Sequence, residues 1–126
     1  MKAYEILTAA FGMAGESLED FPDKRLPLIW LNVAAAEAGK AENHIRERHG
    51  RPVVAVYRLI GDLYDEVDMD SEICTVCLPL ALTAFLYSDR GEDNLSARYR
   101  ERFVQALQNA AMGREKGIED CYGGGV

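Results

Sequence analysis

Apolar residues recur at helical spacing from the start of the chain. Tyr4, Leu7, Thr8 and Phe11 share one face, which predicts a helix over about residues 2 to 12, ended by Gly12 and Gly15. A second helix is expected from an Asp23 cap to about Ala38, with Pro27 tolerated in its first turn. Leu26, Leu28, Ile29, Trp30, Leu31 and Val33 leave it apolar on most sides, the mark of a central helix. Gly39 weakens it, and Ala41 to Arg48 reads as a further polar turn or two before Gly50 and Pro52. Val53, Val54, Ala55, Val56 and Tyr57 are rich in β-branched residues and predict a short strand. A third, apolar helix follows from an Asp70 or Ser71 cap to about Tyr87, and Pro79 should kink it unless the helix starts later than that cap. A fourth, from about Asp93 to Ala111, carries the stripe Leu95, Tyr99, Phe103, Leu107 and Ala110.

These elements predict a mainly α fold: a small bundle of about four helices with a short β strand or hairpin between helices 2 and 3. The expected core is Ile29, Trp30, Val33, Leu78, Leu82, Phe85, Leu95, Phe103 and Leu107. Residues 1–112 read as one domain. Residues 113–126, in which five of fourteen are glycine, read as a flexible tail.

At 126 residues, 48% hydrophobic and 28% charged, the chain can bury a core without disulfide or metal staples. Twenty-one acids against fourteen bases give a net charge of −7, which repels nucleic-acid backbone and anionic membrane and argues against sequence-specific DNA binding. The longest uncharged run, residues 73–88 with Pro79 inside it, is shorter than the ~18 to 20 residues of a spanning helix. Glu5 interrupts the first apolar run, so no signal peptide is read. Three cysteines at 74, 77 and 121 suit a reducing, intracellular setting.

Two constellations could carry chemistry. Cys74 and Cys77 form a CxxC that His44 and His49 could complete as a zinc set, although the cysteines lie in an apolar helix, where small buried residues are the plainer reading. Residues 62–72 hold Asp62, Asp65, Glu66, Asp68, Asp70 and Glu72 with no base. Ser71 stands where a calcium loop starting at Glu66 needs glycine, and Cys77 where it needs a bidentate glutamate. A metal-dependent hydrolase or zinc-binding helical domain is therefore the rival reading. No serine or cysteine nucleophile has a recognisable partner, and no cofactor is expected. Residues 90–116 hold six bases and four acids. Such complementary patches permit head-to-tail association, which closes into a ring where the rotation allows. The interface candidates are Asp62, Asp65, Glu66 and Asp68 on one side, and Arg98, Arg100, Arg102, Arg114 and Lys116 on the other.

The order of segments resembles the small head-tail connector (head completion, or adaptor) proteins of tailed bacteriophages and their prophage relatives. Leu31 and Asn32 lie in a leucine- and alanine-rich helix, followed by the polar ENHIRE segment, Glu42 to Glu47. Then come a short strand and LYDEVDMDSEI, Leu63 to Ile73, similar to the family's acidic link. That link leads into LALTAFLYSD, Leu80 to Asp89, and a last helix with Tyr99 and Phe103. The likeness covers about residues 20 to 110. It implies a non-enzymatic virion part: a protomer that forms a ring with copies of itself beneath the portal, extends the DNA channel, and seats the next neck or tail component. DNA would pass without specific binding, and no membrane or small-molecule substrate is implied. The implied location is the host cytoplasm during assembly and then the virion head-tail junction. The tail from Gly113 would be a candidate docking arm.

Overall fold

A computed structural model describes residues 1–55 and 57–113 as four α-helices: α1 (Ala3–Met13), α2 (Arg25–Arg48), α3 (Leu78–Asp89) and α4 (Asp93–Met112). A 3-10 turn, Leu18–Asp20, joins α1 to α2, and a π turn, Ile73–Cys77, leads into α3. The apolar face of α1 is Ala3, Ile6, Leu7, Ala10 and Phe11, all fully buried. It lies to one side of the expected stripe, since Tyr4 and Thr8 are exposed.

Contacts between distant residues set the helix directions. Thr83 Oγ1 lies 3.2 Å from Ala10 O and Arg90 reaches Ala14 O, so α1 and α3 run parallel. Arg100 pairs with Glu37 and Arg48 with Ala111 O, each 63 residues away, so α2 and α4 also run parallel. Helices α3 and α4 form an antiparallel hairpin, turned at Gly91 with φ +77°, a conformation that suits a residue without Cβ. The chain therefore runs up, down, up, down. The central element is α3, which packs on α1, α2 and α4 and buries Leu78, Pro79, Ala81, Leu82, Thr83, Ala84 and Leu86.

Four expectations need correction. Gly39 does not end α2, which runs unbroken to Arg48; glycine's helix penalty of about 1 kcal/mol is offset by the packing of Ala34, Ala35, Ala38, Ala41 and Ile45 on the bundle. Ile29 and Val33 leave the core and are 57% and 43% exposed, because α3 takes the centre and α2 buries only one side. Phe85, Leu95 and Leu107 are half-buried. Pro79 sits in the first turn of α3 just after the π turn, whose Leu78 N–H reaches back to Ile73 O. Widening the helix there relieves the clash of the proline ring with a carbonyl one turn earlier.

The fourth correction concerns the strand or hairpin between helices 2 and 3. Among the described residues that region contains no strand. A strand needs a second backbone to pair with, and this segment pairs instead with two asparagines of α2. Asn43 Oδ1 accepts from Val54 N at 2.8 Å and its Nδ2 donates to Val54 O at 2.9 Å. Asn32 does the same with Ile60 N and O, at 2.8 and 2.9 Å. The two asparagines are separated by about 16 Å of helix, and the backbone from Val54 to Ile60 would span about 20 Å fully extended. A bend at Ala55 absorbs the difference, so the segment lies antiparallel along α2.

Candidate functional site

The acidic turn is built on the N-terminus of α1. Ala3 N donates to Asp65 O at 2.9 Å and Tyr4 N to Leu63 O at 2.8 Å, satisfying first-turn donors that have no partner within the helix. Residues Lys2 and Glu66 form an isolated antiparallel bridge. The carboxylates then hold their own backbone: Asp65 Oδ2 accepts from Gly61 N and Asp62 N at 3.0 and 3.1 Å, and Asp62 Oδ1 from Tyr64 N at 2.7 Å. Asp70 Oδ2 accepts from Glu72 N at 3.0 Å, as an N-terminal cap does. Glu66 Oε2 lies 2.9 Å from the Met1 nitrogen. Most of these acids thus shape the turn, while the Asp68 side chain is 89% exposed and Tyr64 is 70% exposed.

A buried ion pair fastens the other end of the same connection. Arg46 Nε donates to Glu42 Oε2 at 2.6 Å, with both side chains almost fully buried. The second oxygen of Glu42 accepts from Asp70 N at 2.6 Å, and the guanidinium also donates to Asp68 O at 3.1 Å. The hydrogen bond to Glu42 raises the Arg46 pKa above its ordinary value. Among the described residues no buried side-chain nitrogen or oxygen lacks a partner.

The proposed zinc set is not assembled. His44 is exposed near the end of α2 and His49 is exposed just beyond it, whereas Cys74 and Cys77 are buried in the π turn. Burial pushes the two thiols up to about 11 and about 12, away from the thiolate that a metal requires. Among the described residues no three His, Cys, Asp or Glu side chains converge as metal ligands. No described helix is long and apolar enough to cross a membrane. A cavity of about 250 Å³ between α2 and the connection is lined by Asn43, Tyr57, Arg58, Asp65 and Asp68, with Asn43 and Asp65 already held by the backbone bonds above.

The basic candidates separate into three groups. Arg100 forms a two-pronged pair with Glu37 of α2, which raises its pKa, so it serves the α2–α4 contact. Arg98 and Arg102 are exposed on α4, the latter with its guanidinium 5.1 Å from the Tyr99 ring. Tyr99 in turn stacks on Tyr87 of α3, 5.5 Å between centroids. Arg114 and Lys116, with the tail beyond Gly113, lie outside the described residues. The sequence reading missed Asn32, Asn43, Glu42 and Arg46 as anchors. The available signal was polarity in the middle of α2: two asparagines about three turns apart, and an acid-base pair one turn apart.

Compared with known proteins, the chain matches no protein-family model, no curated protein and no solved structure.

Proposed function

We propose that this chain is a structural protomer of a head-tail connector in a tailed bacteriophage or prophage, acting by assembly and not by catalysis. One observation carries the reading. The long connection between α2 and α3 is held by Asn32, Asn43, Glu42 and Arg46, yet it leaves Val53, Leu59 and Tyr64 at 52%, 77% and 70% exposure. Long loops in compact domains tend to be functional, and ordering one before docking lowers the entropic cost of association. The resemblance across residues 20 to 110 supplies the kind of assembly: a ring of copies beneath the portal that also meets the neck or tail protein. A net charge of −7 suits a conduit through which DNA slides without being held. Its place would be the host cytoplasm during assembly and the head-tail junction afterwards.

The test is reconstitution with the portal of the same phage. Electron microscopy should show an added ring beneath the portal, formed by full-length protein and lost when the turn at Asp62 to Asp68 is replaced by a glycine-serine linker. Absence of binding by the full-length protein at every ionic strength would overturn the proposal.

A further inference from the structure

We infer that a second copy of this chain docks its acidic turn, Asp62 to Asp68 with Tyr64 exposed upon it, on the α3–α4 surface made by Tyr87, Tyr99, Arg98 and Arg102. The inference rests on the assembly role proposed above and names the surface through which copies meet.

The receiving surface is ordered in advance. Tyr87 stacks on Tyr99, and the pair is flanked by Arg90, with its guanidinium 5.4 Å from the Tyr87 centroid, and by Arg102, 5.1 Å from the Tyr99 centroid. A guanidinium held near an aromatic face by cation–π attraction still has N–H donors to offer a carboxylate. Arg90 is shared with Glu16 and Glu92. Among the described residues, Arg98 and Arg102 enter no ion pair, so positive charge remains at the α4 end of the stack.

The turn offers the complement. Between Leu59 and Glu72 the sequence has no base, and the Glu66 and Asp68 side chains remain 66% and 89% exposed although Glu66 pairs with the Met1 nitrogen at 2.9 Å and Asp68 with Arg46 at 3.6 Å. Tyr64 meets only the edge of Tyr4 in the aromatic contacts of the described residues, 5.5 Å between centroids, so most of its ring faces solvent. Tyrosine and arginine dominate the energetics of protein interfaces, and an arginine against a tyrosine face adds cation–π attraction. The turn rests on α1 and its counterpart on α3 and α4, so the contact joins unlike surfaces and propagates head to tail, as a ring or filament must.

Sedimentation velocity over a concentration series at low and high salt tests this. Wild-type protein should self-associate, more weakly at high salt. Reversing the turn (Asp62→Lys with Glu66→Lys) or the helix (Arg98→Glu with Arg102→Glu) should each weaken association about tenfold or more. Mixing the two reversed proteins should restore it, because each basic turn then meets an acidic helix. If circular dichroism shows that the turn reversal disturbs folding, Tyr64→Ser replaces it and should weaken association without changing helicity. A wild type that stays monomeric throughout, association indifferent to these variants, or a mixture that does not recover would overturn the surface. Oligomers indifferent to the charges would leave the connector reading intact with another interface. A working charge swap in a protein that ignores its portal would overturn the connector reading alone.

Discussion

Glu42 and Arg46 stand one turn apart on α2, buried, with 2.6 Å between the carboxylate and Nε. Each also holds backbone of the connection 22 to 28 residues away, through Asp68 O and Asp70 N. The pair therefore joins helix to loop, and removing one partner leaves the other charged and desolvated. Glu42→Ala or Arg46→Ala should each destabilise by about 3–5 kcal/mol. The double variant Glu42→Leu with Arg46→Met should be less damaging than the sum of the singles, because no unpaired charge is left. Urea denaturation of the wild type, Glu42→Leu, Arg46→Met and the double variant measures the coupling.

The asparagine clamps can be tested one at a time. Asn43→Ala and Asn32→Ala each delete two hydrogen bonds to the connection, with an expected loss of about 1–3 kcal/mol. Hydrogen exchange should report the loss locally, with protection falling at Val54 N for the first variant and at Ile60 N for the second. Equal loss at both amides in either variant would show that the connection opens as one unit.

Gly113 ends α4 with φ +86°, and a Cβ there would lie 2.8 Å from the Arg48 guanidinium carbon. Arg48 in turn donates to Ala111 O, a favourable place for a cation at a helix C-terminus. Gly113→Ala should destabilise by about 1–2 kcal/mol through backbone strain and displacement of that arginine. In an Arg48→Ala background the same substitution should be milder, since only the backbone strain remains. Thermal denaturation of the four proteins gives the comparison.

Stability should fall in alkali. Burial raises Cys74 from 9.0 to about 11, Cys77 from 9.0 to about 12, and Tyr57 from 10.0 to about 12. The unfolded chain releases these protons at lower pH than the folded one, so the folded state binds more of them in between. Their contribution is complete below about pH 9 and is lost as pH climbs to about 12. Urea midpoints should fall slightly above about pH 8, where the Met1 ammonium paired with Glu66 begins to lose its contribution, and more steeply past that onset. In a Cys74→Ala, Cys77→Ala protein the steep part of the decline should begin nearer pH 10, where the Tyr57 contribution starts to be lost.

Thiol labelling offers an independent check on the same burial. In a Cys121→Ser background only Cys74 and Cys77 remain, and both should react slowly in native protein and rapidly in denaturant, because the thiolate is the reactive species. Rapid native labelling would contradict the buried π turn.

Periodicity along the chain was sufficient for the four helices, since side chains that recur every three to four residues meet one apolar environment only as a helix. The stripe through Leu95, Phe103 and Ala110 foretold α4, and the unbroken apolar run around Leu82 foretold a buried α3. The turn chemistry of Asp70 could also be read, because a cap acts on amides within its own turn. What needed the tertiary structure was every choice of distant partner. The β-branched residues at Val53 and Val54 announced extended backbone, but only the fold supplied Asn43 as its partner in place of a second strand. Arg100 and Arg98 look alike in sequence, and the parallel register of α2 and α4 alone gives Glu37 to the first. Ile29 and Val33 carry the same apolar signal as Trp30 and Leu31, yet they face solvent because α3, and not α2, sits at the centre. Local preference is a property of neighbours in sequence, whereas pairing and burial depend on which surfaces the folded bundle brings together.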